Sequence, residues 1–421
     1  MSDVLARRKR LLGPHVTTFY KEPVHLARGE GVWLWDTDGR KYLDCYNNVP
    51  HVGHCHPRVV EAISRQAAAL NTHTRYVHDG ILDYGEALTA KFDHNLTSMV
   101  MVCSGSEAND VALRMAQAMT AKTGLITTDN TYHGNTAAVS QLNSSKEPIG
   151  GFKDHVKRVP APDNMQPVGG TREGQKAAFT AAVKAAIAEL EASEYGLSAL
   201  IICPYFANEG FPTLEEGFLD EAVAAVHAAG GIVIADEVQP GFGRIGSHWW
   251  GHQKLNFAPD IVTLGKPMAN GHPVAAAITR PEILTAFQEG FKYFNTFGGN
   301  PVSAAAAHAV LNVIEDEGLV ENAADVGAYA VAQLKELQTQ YDVIADVRGS
   351  GLFFGVELWR DGKPATEICA TMIDAMRDRG VLLHSEGRYD NTLKIRPPCA
   401  FDRGNADLLV ETMSAAFEAV L

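Results

Sequence analysis

No run of this chain is apolar for long enough to cross a bilayer, which takes about 20 consecutive residues. The charged start, Met1 to Arg10, is not followed by the apolar core of a signal peptide, so a soluble, cytoplasmic protein is expected. Basic charge is also short. The 36 Lys and Arg against 50 Asp and Glu leave a net charge of -14. That sign offers no general attraction to phosphodiester backbones or anionic lipid, which excludes nucleic-acid and membrane binding as the main role. Cysteine is sparse: six thiols scattered over 421 residues fit a reducing compartment better than a disulfide framework. There is no internal repeat, no low-complexity tract and no clean metal motif. His51, His54, Cys55 and His56, near Cys45, imitate a metal cluster. Gly53 and Pro57 break the pattern and no second ligand pair follows, so turn and core histidines, and no metal, are expected.

What remains is an ordinary globular composition, 46% hydrophobic, in a chain long enough for more than one domain. Trp33-Leu34-Trp35-Asp36 and Lys41-Tyr42-Leu43-Asp44, separated by Asp38-Gly39, read as a hairpin. Pro57 opens a helix that carries Val60, Ile63 and Ala67 on one face. From about residue 98, strand-like and helical runs alternate. They imply a mainly parallel central sheet covered by helices, an α/β fold. The polar stretch 144–175 reads as a surface excursion. The last hundred residues form a separate α+β pattern. We therefore expect an N-terminal segment 1–60 that belongs to a small domain, a large domain over 61–320, and the rest of the small domain over 321–421.

Lys266 is the most telling residue. It ends the buried-strand run Ile261-Val262-Thr263-Leu264-Gly265, where an ammonium is costly. Asp236 ends another such run, Gly231 to Ala235. A Lys and an Asp at the ends of two buried strands point to pyridoxal 5'-phosphate: the Lys as the Schiff-base amine, the Asp as partner of the pyridine nitrogen. Three further segments fit. Ser104-Gly105-Ser106-Glu107 joins a strand to a helix, where free N–H groups and the helix dipole cradle a phosphate. Taken alone it is an ordinary helix cap. Tyr132 could stack on a pyridine ring, with His133 beneath it; taken alone, Thr131 to Gly134 is a loop whose aromatic packs inward. Val238 would press on the ring and Gln239 reach its hydroxyl. Asn295-Thr296-Phe297-Gly298-Gly299-Asn300-Pro301 alone is only a polar turn before a helix. Gly349-Ser350-Gly351 superficially resembles a dinucleotide loop, but the spacing is wrong and a strand follows.

Together, in this order and spacing, these segments resemble the class III aminotransferases, pyridoxal-phosphate enzymes of fold type I, over nearly the whole chain. The resemblance implies a large domain with a mainly parallel central sheet plus a small α+β domain. It implies Lys266 as the Schiff-base lysine, Asp236 on the ring nitrogen, Gly105 and Ser106 on the cofactor phosphate, and Tyr132, Val238 and Gln239 about the ring. Thr296 would hold the phosphate of a neighbouring subunit's cofactor, which implies a homodimer with sites at the interface; assembly into a tetramer stays open. Leu43-Asp44-Cys45-Tyr46-Asn47-Asn48-Val49, His51-Val52-Gly53-His54-Cys55-His56-Pro57, Lys266-Pro267-Met268-Ala269-Asn270-Gly271-His272-Pro273 and Tyr293-Phe294-Asn295-Thr296-Phe297-Gly298-Gly299-Asn300-Pro301 look like the phospholyase branch, whose best-known members act on ethanolamine phosphate or 5-phosphohydroxylysine. One departure stands out: Cys203 occupies a position where the family usually has Glu, and Phe206 to Gly210 lacks the usual Gly-rich form.

The expected reaction is therefore loss of phosphate from a small phosphorylated amine, giving an aldehyde and ammonia. Lys266 would remove a proton from the carbon bearing nitrogen, and phosphate would leave from the next carbon. Such a site needs cations for the phosphate; Arg75 and Arg396, with Asn47 and Asn48, are the candidates. The competing reading is an ω-aminotransferase that passes the amine to a keto acid. A non-catalytic homologue is disfavoured by the intact Lys266 and Asp236.

Overall fold

The computed structural model describes residues 2–144 and 146–421; Met1 and Ser145, at the edges of two of the segments discussed above, lie outside them. Seven strands form the central sheet, in the order Ser98–Val102, Ala275–Thr279, Ile261–Leu264, Ile232–Asp236, Leu197–Ile202, Gly124–Thr128, Val156–Val159. The last five are parallel, and only Ala275–Thr279 runs against its two neighbours. The three central parallel strands, Ile261–Leu264, Ile232–Asp236 and Leu197–Ile202, are buried on both faces, as crossover helices require. Alternate residues feed two apolar clusters, Val233 and Ala235 one, Ile232 and Ile234 the other. The second cluster also takes Val111, Ala112 and Met115 of the helix Gly105–Thr120. Asp236 continues the period of Ile232 and Ile234, so it reaches that helix too.

Both chain ends share a sheet. The hairpin Trp33–Asp36 and Lys41–Asp44 forms as expected, and Val381–Leu382 pairs in parallel with its second strand. A five-stranded sheet is built from Ile344–Ser350, Phe353–Arg360, Lys363–Pro364, His384–Glu386 and Thr392–Ile395. Gly349 and Gly351 sit at the hairpin turn of its first two strands. A Cβ on Gly351 would lie 2.3 Å from the Arg244 carbonyl, so close packing explains the glycine.

Two sequence expectations need correction. The helix Pro57–Ala69 is present, but it buries Val59 and Ala62, while Val60 and Ala67 are exposed. The helix packs on Pro301–Asp316 through the stripe one residue earlier. The stretch 144–175 is not only a surface excursion, because Val156–Val159 adds an edge strand. Lys157 and Arg158, half-buried at that edge, disguise it as loop.

Candidate active site

The carboxyl ends of the parallel strands open on a cavity lined by Gly105, Ser106, Tyr132, His133, Asp236 and Lys266, among others. This is where an open α/β sheet binds ligands. The phosphate-cradle end is held by a complete capping box. The Ser104 hydroxyl accepts from Glu107 N at 3.3 Å, and the Glu107 carboxylate accepts from Ser104 N and Cys103 N at 3.1 and 2.7 Å. Those bonds fix the strand-to-helix turn and leave the first helical N–H groups facing the cavity. Gly105 is needed for a close approach: a Cβ there would meet Val238 at 3.0 Å.

Asp236 is held on every side. Its Oδ2 accepts from Asn109 Nδ2 at 2.9 Å and lies 2.7 Å from His133 Nδ1, while Oδ1 accepts from Val238 N at 3.0 Å. Asn109 is held in turn by Thr263, whose hydroxyl donates to its Oδ1 at 2.6 Å. These partners fix the orientation of the carboxylate at the cavity wall. His133 therefore braces Asp236 with a fully buried ring. Tyr132 remains partly exposed, a free aromatic face at the cavity.

Lys266 is open to the cavity, but protein surrounds the cavity deeply. Burial, reinforced by the Arg396 guanidinium, lowers its amine to about 8. Gln239 is shared: it donates to Asn208 Oδ1 at 2.6 Å and accepts from Lys394 Nζ at 3.1 Å and from Arg396 Nη1. Lys394 is also paired with Glu386. Arg396 otherwise reaches only the Tyr46 carbonyl, at 3.3 and 3.4 Å, and among the described residues no carboxylate lies within 4 Å of it. Burial lowers Lys394 to about 8 and Arg396 to about 10.

Arg396 does not line the cavity itself and touches it through Gln239; the other substrate candidates are elsewhere. Asn48 is committed to structure, donating to the Gln239 carbonyl at 3.0 Å and accepting from the buried Arg244 at 2.7 Å. Asn47 lines a neighbouring cleft with Phe19 and Tyr46. Arg75 and Thr296 are exposed and do not line the cavity of their own chain; Arg75 stacks on Phe294 at 3.9 Å. The histidines of the apparent metal cluster are engaged separately: His51 with the Phe242 carbonyl at 2.7 Å, His54 with Asp44 at 2.7 Å and His56 with Glu317 at 3.0 Å. No group of three or more potential ligands could hold a metal ion among the described residues.

Sequence reasoning passed over Asn109, Lys394 and Glu209. The signal for Lys394 was readable: Lys394 and Arg396 alternate on one face of the apolar strand Thr392–Ile395. Asn109 lay one helical turn from Gly105, on the buried face.

Residues 17–417 match the sequence profile of the family Aminotransferase class-III. The chain belongs to that family. Its members are pyridoxal-phosphate-dependent enzymes, and the cavity fits the cofactor. A helix N-terminus stands ready for a phosphate, a braced carboxylate for a ring nitrogen, and a lowered amine for an aldehyde. The chain is 42% identical to a phospholyase from Arthrobacter, solved in complex with phosphoethanolamine, over 99% of this chain and 100% of that one, with a TM-score of 0.95. It is 40% identical to an alanine–glyoxylate aminotransferase 2-like protein of Drosophila melanogaster, over 96% of this chain and 85% of that one. It is 36% identical to the ethanolamine-phosphate phospho-lyase homolog 1 of Caenorhabditis elegans, over 98% and 92%. No helix among the described residues is long and apolar enough to cross a membrane.

Proposed function

We propose that this chain is a phospho-lyase that eliminates phosphate from a phosphorylated amino alcohol, with ethanolamine phosphate as the first substrate to test. The observation that carries the reading is Arg396. It is a buried guanidinium near Lys266 with no carboxylate of its own. A buried charge without a counterion is costly, so the site is balanced when an anionic substrate enters. The Arthrobacter phospholyase with phosphoethanolamine supports phosphate as that anion.

Bound in the cavity, pyridoxal phosphate supplies an aldehyde that captures an amine and a ring that accepts an electron pair. Gly105 and Ser106 would anchor its phosphate, Tyr132 and Val238 would pack against the ring, and Asp236 would hold the proton on its nitrogen. Lys266, its amine lowered to about 8, takes the proton from the carbon bearing nitrogen. Arg396, with Lys394 beside it, holds the phosphate of the substrate. Cys203 contributes neither charge nor base, because burial and Asp236 push its thiol well above the ordinary range.

A homodimer belongs to the same proposal, with Thr296 reaching the partner's cofactor phosphate. Its support is the apolar surface about Thr296, where Phe297 and Tyr76 are 71% and 65% exposed. We also propose the division into a large domain, 61–320, and a small one built from 1–60 and 321–421.

A second reading has its own observation. A single unbalanced guanidinium equally fits the carboxylate of a keto acid, and the Drosophila relative carries an aminotransferase name. Incubation with ethanolamine phosphate and no keto acid separates the two. Free phosphate in many-fold excess over enzyme is expected; one equivalent of pyridoxamine phosphate and no free phosphate would overturn the phospho-lyase reading.

A further inference from the structure

Arg244 is a second buried guanidinium, fully enclosed and without a carboxylate within 4 Å among the described residues. It differs from Arg396 in that each of its nitrogens already has a protein acceptor. Nε donates to Asn48 Oδ1 at 2.7 Å, Nη1 to the Leu352 and Pro397 carbonyls at 2.9 and 2.6 Å, and Nη2 to His51 Nδ1 at 3.2 Å. The His51 bond has one sense. Its Nε2 faces the Phe242 carbonyl at 2.7 Å and must carry the proton there, so Nδ1 is left to accept. The backbone adds a return bond, from Leu352 N to the Arg244 carbonyl at 2.9 Å. A cation engaged at every nitrogen has little left for a ligand; its role lies in what it joins.

Followed outward, its bonds close a ring about the Gln239–Arg396 contact. A guanidinium only donates, so Asn48 turns its oxygen to Arg244. Its Nδ2 then points the other way and donates to the Gln239 carbonyl at 3.0 Å. The Gln239 side chain lines the cavity and accepts from Arg396 Nη1. Arg396 is followed by Pro397, whose carbonyl returns to Arg244. One guanidinium thus holds both partners of a contact between segments 157 residues apart. The bonds that hold Asp236, from Asn109, His133 and Val238 N, are not part of the ring.

We propose that Arg244 is a positioning residue for substrate binding: through Asn48 and Pro397 it fixes Gln239 and Arg396 against each other, and so fixes where the substrate's anion is received. A planar fork holds several partners at set angles, which an ammonium on a flexible stem does not. The effect on substrate rests on the proposed function, in which Arg396 receives the anion; the ring itself does not.

Two substitutions break the ring at different bonds. Arg244→Lys keeps the charge and loses the fork. Asn48→Asp keeps an acceptor for Arg244, gives it a counterion, and removes the N–H that holds the Gln239 carbonyl. A merely structural Arg244 would tolerate the second change. In the holoenzyme of either variant, KM for ethanolamine phosphate is expected to rise about tenfold or more, with kcat per bound cofactor little changed. Phenylglyoxal, which labels guanidinium groups, reads the geometry separately. Arg396, slow to react in the wild type, should be labelled about fivefold faster or more, while the buried Arg348 keeps its rate. Asn48→Asp decides alone if Arg244→Lys fails to fold. Unchanged Arg396 labelling in every folded variant would overturn the proposal. Faster labelling with a wild-type KM would overturn it too, leaving Arg244 a structural residue only. Wild-type enzyme that releases no phosphate from ethanolamine phosphate would instead sink the phospho-lyase reading, with the labelling rates still judging the ring.

Discussion

Two walls of the site are built on opposite plans, one of residues that line the cavity about Asp236 and one that stands behind its Gln239. Around Asp236 both oxygens have donors, and the donors have partners of their own: Asn109 through Thr263, His133 through Thr127 and Thr131. Around Arg396 two cations converge on one neutral amide, and only Lys394 has an acid. The first wall is electrostatically satisfied within the protein and can hold one geometry for a cofactor through every turnover. The second is left short of negative charge and becomes balanced only when an anion arrives. Under the proposed function, preorganisation on one side would serve the chemistry and the unmet charge on the other would choose the substrate.

The sharpest way to break this contrast is to remove the amine shared by both walls. Lys266→Ala is expected to lower phosphate release by about 10³-fold or more, measured at saturating substrate. On the satisfied wall, Asp236→Asn keeps the shape and removes the charge, so kcat is expected to fall by roughly 10²–10³-fold with little change in KM. On the unbalanced wall, Arg396→Gln should act the other way, raising KM for ethanolamine phosphate by about 10–100-fold while cofactor affinity holds. If Asp236→Asn moved KM and Arg396→Gln moved cofactor binding, the division of labour would be wrong. The smallest expected effect lies at the cradle: Ser104→Ala costs about 1 kcal/mol of stability, read from the denaturant midpoint.

A pH prediction follows from Glu209. Its folded pKa, about 7, lies above the ordinary carboxylate value of 4.5, so the folded chain binds more protons than the unfolded one between those values. Its stabilising contribution is therefore present below about pH 4.5 and lost as pH rises through about 7. Thermal midpoints of the cofactor-free wild type, minus those of Glu209→Gln, should decline across that window. A flat difference would place the Glu209 pKa near its ordinary value.

The satisfied wall was largely legible from residue order. A lysine and an aspartate ending buried strands, and a Ser-Gly-Ser-Glu turn opening a helix, are costly or specific enough to be noticed one at a time. His133 was named and does line the cavity, but its partner was hidden, because nothing in Tyr132-His133-Gly134 says that the ring turns inward to a carboxylate 103 residues away. The unbalanced wall was harder. Arg396 was named, but Lys394 and Glu386 meet it only through the pairing of short strands late in the chain. Glu209 was visible only as part of a loop that departs from the family pattern; its burial depends on Thr128, from a different strand. The fold followed the same division. Buried parallel strands were readable as apolar runs, while the edge strand Val156–Val159 was hidden by Lys157 and Arg158.

The most direct measurement lets both reactions compete in one tube: phosphorus NMR of the holoenzyme with ethanolamine phosphate and a keto acid together. The account predicts that the ester resonance is replaced by inorganic phosphate over many turnovers, with acetaldehyde and ammonia as co-products and the keto acid unchanged. A new phosphate-ester resonance, with the keto acid converted to its amino acid and no inorganic phosphate, would contradict it.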